Sequence, residues 1–224
     1  MGATFEIIRT RTAYTTAEMN LVQQKVIVSP AKPQIQLVQV PGANGSVDLT
    51  DALTTDTKYS DRTITWTFAV LPNVSWFDTM ALVSNRINGK RCRITLDEDP
   101  DWYYEGRVEV TTHTTDKLLR QITVVATCQP FKIANARSAW GDNLVKTTHK
   151  TKTIDVGEMS QIPVFSCNYD TNISWDGITV LIQANTPTQP PAFYWTGETT
   201  FEYWRAGTGE YNGKLTLEWF RGSL

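Results

Sequence analysis

Arg93-Ile-Thr-Leu-Asp-Glu-Asp-Pro-Asp-Trp-Tyr-Tyr-Glu-Gly-Arg-Val108 sets an acidic turn between two alternating runs. Ahead of the turn, Cys92, Ile94 and Leu96 alternate with Arg91, Arg93 and Thr95; after it, Val108 and Val110 alternate with Arg107 and Glu109. That period of two is the pattern of a half-buried strand. Asp97-Glu-Asp-Pro-Asp101 holds turn formers, because Asp bonds its own backbone and Pro fixes φ while removing a ladder donor. The stretch therefore reads as a β-hairpin with an acidic tip and with Trp102, Tyr103 and Tyr104 on its outgoing arm.

The flanking sequence repeats the strand signature. Residues 4 to 9 alternate weakly and read as an edge strand, and Lys25–Val28 and Gln34–Val40 read as two more, kept apart by Pro30 and Pro33. Pro41-Gly-Ala-Asn-Gly45 is a turn whose glycines permit positive φ. Ile64, Trp66, Phe68 and Val70 alternate with Thr63, Thr65 and Thr67, a face apolar enough to demand burial. One helix is expected: Trp76, Met80, Val83 and Ile87 fall on one side, Asn73 or Ser75 caps its start, and Gly89 ends it.

Beyond the hairpin, Leu118 to Cys128 gives a further strand with Ile122, Val124, Ala126 and Cys128 in phase. Asn135–Asn143 is polar and irregular and reads as a linker. From Leu144 onward, short apolar runs at 152–156, 162–167, 178–182, 193–195, 200–204 and 215–220, punctuated by Gly and Pro, describe a β-sandwich.

Composition excludes several function classes. The 224 residues carry 21 basic and 23 acidic side chains and no basic stripe, which argues against specific nucleic-acid binding. No run approaches the roughly 20 apolar residues of a membrane span, and Met1–Ile8 lacks the n- and h-regions of a secretory signal. The sequons at Asn44, Asn73 and Asn172 are then chance matches. Cys92, Cys128 and Cys167 suit a reducing cytosol, and Cys92 and Cys128 fall on apolar phases, as small buried hydrophobes do.

The acids of the turn invite two chemistries, and neither fits: one fails on burial and the other on spacing. Paired carboxylates serve glycosidases, but a catalytic acid needs burial to raise its pKa, and a Pro-containing turn normally lies in water. Asp97-x-Asp99-x-Asp101 resembles the start of a calcium loop, yet the following Gly and the distal bidentate Glu are missing. His113 and His149 belong to no nucleophilic triad, and no Gly-x-Ser-x-Gly elbow exists. No catalytic residue, cofactor or metal is expected. In the second half, Trp175, Trp195, Tyr203, Trp204 and Trp219 offer two destinations, a sandwich core or a sugar-stacking platform; alternation favours the core.

Five features keep one order: Pro41–Leu53, Tyr59-Ser-Asp-Arg-Thr-Ile64, a helix ending Asn88-Gly-Lys90, Leu96–Arg107, and a strand ending Cys128-Gln-Pro-Phe-Lys132. This series, over about residues 35 to 132, resembles the distal tail proteins of siphophages, the phages with long non-contractile tails. The resemblance implies a mainly β fold: an N-terminal β-barrel-like, ring-forming domain with one helix over residues 1–134, and a C-terminal galectin-like β-sandwich over 135–224. It also implies a hexameric ring at the phage tail tip of the virion, made in the host cytoplasm. There it would join the tail tube protein to a tail-associated hub or lysin protein and to receptor-binding or other tail-tip proteins. Asp97, Asp99, Asp101, Trp102, Tyr103, Tyr104 and Arg107 are the expected interface residues, and acidic residues are expected around a channel that passes DNA. The alternative is a carbohydrate-binding module contacting the host surface, with Trp195, Tyr203 and Trp204 stacking sugar. No room is left for the sugar-binding insertions of some relatives, which favours the plain structural hub.

Overall fold

The computed structural model describes residues 2–42, 44–50, 52, 57–115, 119–208 and 211–224. Leu118, with which a strand was expected to begin, and Ala43, Asp51, Leu53 and Gly209 of the expected turns lie outside them. The strands are β1 (Ala3–Ile7), β2 (Thr12–Thr15), β3 (Leu21–Val28), β4 (Leu37–Gln39), β5 (Ser46–Asp48), β6 (Arg62–Val70), β7 (Arg91–Leu96), β8 (Asp99–Thr115), β9 (Arg120–Cys128), β10 (Lys132–Val145), β11 (Lys150–Asp155), β12 (Val164–Cys167), β13 (Thr171–Trp175), β14 (Ile178–Ile182), β15 (Glu198–Arg205) and β16 (Gly213–Ser223); helix α1 spans Trp76–Ile87. The chain divides into two compact units, Met1–Lys132 with Leu224, and Ile133–Ser223.

In the first unit the strands are antiparallel neighbours in the order β2-β1-β7-β8-β9-β6-β3. Alternation decides which face goes inward: Ile64, Trp66, Phe68 and Val70 of β6 and Ile122, Val124, Ala126 and Cys128 of β9 are all buried. Phe5 of β1 meets Trp66 of β6 edge-on at 5.5 Å although the two strands are not neighbours, so the sheet curls over one core. The curl is barrel-like but open, because β2 and β3 are not paired with each other among the described residues. Helix α1 plugs this core with Trp76, Thr79, Val83 and Ile87. Ser75 caps it, its Oγ accepting from the Asp78 N–H at 3.4 Å, and Gly89 follows its end at φ +69°. Strands β4 and β5 pair only with each other, in a hairpin that leaves Leu37, Val38 and Val47 exposed.

The second unit is built from two layers, β12-β16-β10 and β11-β15-β13-β14. Both contribute to one core: Phe165, Leu215 and Leu217 from the first, Ile154, Ile173, Ile182 and Phe201 from the second. That is a β-sandwich.

Four expectations need correction. The strand near residues 4–9 is not an edge, since β1 lies between β2 and β7. Asn135–Asn143, read as a linker, lies within β10; Trp140 packs against the core between the exposed Ala139 and Gly141, and the polar residues around it hide that alternation in the sequence. Residues 193–195 form no named strand and are tied by a single bridge from Trp195 to Gln161. On α1, Thr79 is buried where Met80 was expected, the apolar stripe being rotated slightly round the helix.

Candidate functional site

Strands β7 and β8 pair Arg91 with Arg107, Cys92 with Gly106, Arg93 with Glu105, Ile94 with Tyr104 and Leu96 with Asp99. The turn is therefore only Asp97-Glu98, a two-residue hairpin loop, and Asp99, Pro100 and Asp101 already belong to β8. This is tighter than the five-residue acidic tip read from the sequence. The Asp97 N–H donates to the Gly2 carbonyl at 3.1 Å, so the start of β1 fastens the turn.

The carboxylates do not converge. Asp99 Oδ2 accepts from Lys132 Nζ at 2.7 Å, and the same ammonium lies 4.9 Å from the centre of the Trp102 ring. Asp97, Glu98 and Asp101 are exposed and make no ion pair among the described residues, where no group of three potential metal ligands is found either.

The aromatics that follow divide between the two faces of β8. Tyr104 enters the core, with the Arg62 guanidinium 5.4 Å from its ring centre. Tyr103, equally buried, faces the other way under Arg93 at 4.9 Å, and burial pushes its phenol pKa up. Trp102 is half-buried. Gly106 is fixed by contact: a Cβ there would meet the Thr127 carbonyl oxygen, Cys128 Sγ at 2.6 Å and Cys128 Cα at 2.8 Å. Arg107 is exposed, its Nη1 donating to the Gly89 carbonyl at 2.7 Å. Burial raises the Cys92 thiol to about 11 and the Cys128 thiol to about 12, so both stay protonated and inert at neutral pH.

The aromatics of the second unit are not assembled into one platform. Trp195 is fully buried. Tyr203 is 4% exposed and its hydroxyl donates to Asp142 Oδ2 at 2.8 Å. Lys150 Nζ donates to that same oxygen at 2.7 Å, and the Leu144 N–H reaches Asp142 Oδ1 at 2.8 Å. Burial works to raise the Asp142 pKa, but these hydrogen bonds and the Lys150 charge together hold it below the ordinary value. Burial first, and Asp142 second, push Tyr203 up. Trp204 is half-buried and stacks on His149 at 3.8 Å, with planes 10° apart. Trp175 and Trp219 pack at the core.

Sequence reasoning missed several partners. Lys132 was seen only as the end of a motif and Asp142 as part of a linker, because each finds its partner across the fold. Tyr169 and Tyr211 stack at 6.2 Å and are 39% and 68% exposed. They come from separate turns, and no local spacing announces them.

No protein-family model and no curated protein sequence matches the chain. Among solved structures, one likeness is to the crystal structure of the Dit (gp 19.1) protein of phage SPP1, described as a paradigm of the hub adsorption apparatus in phages that infect Gram-positive bacteria. It covers 100% of this chain and 99% of that one, with a TM-score of 0.64 and 12% identity. Another is to the phage P2 baseplate in its activated conformation with Ca, covering 97% of each chain with a TM-score of 0.41 and 5% identity. Over the full length of the chain, the fold is that of the SPP1 Dit protein.

Proposed function

We propose that this protein is a structural component of a phage tail: a hub ring of several copies joining the tail tube to the tail tip or baseplate. The observation that carries the reading is the likeness to the SPP1 Dit fold, which covers the full length of this chain. In this reading the unit Met1–Lys132 forms the ring, and the unit Ile133–Ser223 is an outward, galectin-like lobe. The tail tube protein, a tail-associated hub or lysin protein and receptor-binding proteins are its partners. The protein works by binding and catalyses nothing.

Its surface suits assembly. The β4–β5 hairpin exposes Ile35, Leu37, Val38, Val40 and Val47, more apolar side chain than an isolated two-stranded ribbon usually offers to water. Hexamers are the expected stoichiometry, and of the seven expected interface residues Asp97, Asp99, Asp101, Trp102 and Arg107 are exposed or half-buried, whereas Tyr103 and Tyr104 are buried. A carbohydrate-binding role would have to proceed without Trp195 and Tyr203, which are buried; the half-buried Trp204 and the exposed Tyr169, Tyr194 and Tyr211 are rings that it could use.

Electron microscopy of the purified protein is the test. Rings with outward lobes are expected, with light scattering giving a mass of several copies. A protein that stays monomeric across micromolar concentrations would remove the hub reading.

A further inference from the structure

The β7–β8 hairpin is electrically polar along its length. Its root is basic: Arg91 and Arg107 face each other across the pair, and Lys90 precedes them. The β1–β2 turn brings Arg9 alongside, because the Ile8 N–H donates to the Arg91 carbonyl at 3.1 Å. Arg9, Lys90, Arg91 and Arg107 border an open cleft of about 700 Å³ whose apolar lining includes Ile7 and Ile8. Arg91 is neutralised by Glu105 at 2.6 Å and Arg107 donates to a backbone carbonyl. Arg9 and Lys90 are exposed and form no ion pair among the described residues.

The other end of the hairpin is acidic. Asp99 is held by Lys132, but Asp97, Glu98 and Asp101 stand exposed. The five residue steps from Arg91 to Leu96 separate root from tip by about 17 Å, too far for the two ends of one chain to satisfy each other. The chain as a whole is slightly acidic, with 21 basic against 23 acidic residues, so this cluster of four basic side chains, two of them in no ion pair or hydrogen bond among the described residues, is local.

We propose that the acidic β7–β8 turn of one copy (Asp97, Glu98, Asp101) docks into the basic cleft (Arg9, Lys90, Arg91, Arg107) of the next copy. The inference rests on the ring reading and names the contact that would build it. Joining a tip to a root is heterologous, and a heterologous contact propagates head to tail until the rotation closes. Exposed ion pairs contribute little each because water and salt screen them, so the contact fixes register and direction and accelerates encounter rather than supplying all the affinity. Ile7 and Ile8 add an apolar floor that the bases surround.

The test uses two charge-reversed full-length proteins, Arg9→Glu/Lys90→Glu and Glu98→Lys/Asp101→Lys. Assembly is followed by analytical ultracentrifugation at low salt, and folding by circular dichroism. Each alone is expected to assemble about tenfold or more weakly than wild type. Mixed one to one, they should recover rings, because the acidic cleft of the first accepts the basic turn of the second and the reverse pairing is native in sign. Such alternation closes any even-numbered ring. Should either reversal fail to fold, Arg9→Gln/Lys90→Gln reports the same contact with a loss of about two- to fivefold. The proposal is overturned if folded variants assemble like wild type, or if the mixture recovers nothing. Absence of rings in wild type itself would overturn the hub reading, and this contact with it.

Discussion

The two units fill their cores by different means. In the first, long strands dictate the filling: most of the core residues are aliphatic, and Phe5, Trp66, Phe68, Trp76 and Tyr104 are spread among them, with Phe5 meeting Trp66 edge-on. In the second, a web of rings does the work. Phe165 touches Phe193 at 5.8 Å, Trp195 at 5.5 Å and Phe201 at 6.3 Å, and Trp195 stacks on Phe201 at 5.0 Å. Two of these rings, Phe193 and Trp195, come from a connection rather than a strand. An aliphatic core spread over many strands loses little with any one side chain, whereas a core hung on a few rings concentrates its stability in them.

The strongest way to break this contrast is Trp195→Ala. Removing a fully buried indole should cost about 3–5 kcal/mol, confined to the second unit. Cysteine labelling reads the confinement, because Cys92 and Cys128 are buried in the first unit and Cys167 in the second. The variant should expose Cys167 to alkylation while Cys92 and Cys128 stay protected. Simultaneous labelling of all three would mean the units unfold as one. The first unit has its own weak point in Gly106, where a Cβ would strike the backbone of β9. Gly106→Ala should cost about 1–3 kcal/mol, with the labelling pattern reversed.

This contrast also explains what could be read from the sequence. The strands β6 and β9 were legible because one face of each is buried and the other is not, so period two survives in the letters. Strand β10 was not legible: over 138–143 half-buried and exposed positions alternate, but the inward ones are Ser138, Trp140 and Asp142, and Trp140 and Asp142 meet Tyr203 across the fold, which no local spacing shows. The acidic turn was legible as a turn, although pairing of Leu96 with Asp99 shortened it, since Pro100 was read as a breaker and is tolerated inside β8. The basic cleft could not be found by spacing at all, because Arg9, Lys90 and Arg107 come from three separate places in the chain. Likewise Trp195, Tyr203 and Trp204 looked like one aromatic patch, yet Tyr203 and Trp204 are successive strand residues and must point to opposite faces.

A smaller perturbation probes helix α1 of the first unit, which has no counterpart among the described residues of the second. Ser75→Ala removes the acceptor for the Asp78 N–H, and at 3.4 Å that bond is long. The loss should sit near the low end of cap substitutions, about 0.5 kcal/mol, and is measurable by urea denaturation. A cost above about 2 kcal/mol would mean that Ser75 does more than cap.

The smallest expected effect is a pH dependence that belongs to the second unit. Asp142 has a native pKa below its ordinary value because bonds from Lys150, Leu144 and Tyr203 outweigh its burial. A depressed carboxyl stabilises the fold above its unfolded pKa of about 3.9, and the contribution disappears as pH falls through the lower native value. Tyr203 is shifted upward, so its contribution is complete below an unfolded pKa of about 10 and is lost as pH rises through the native one. The acid limb depends on hydrogen bonds to Asp142, whereas burial is the larger cause of the alkaline one. Asp142→Asn should therefore abolish its share of the acid limb below about pH 4, while much of the alkaline limb remains. Thermal melts of the variant and wild type across both ranges make the comparison. Equal loss of both limbs would show that Asp142, not burial, sets the state of Tyr203.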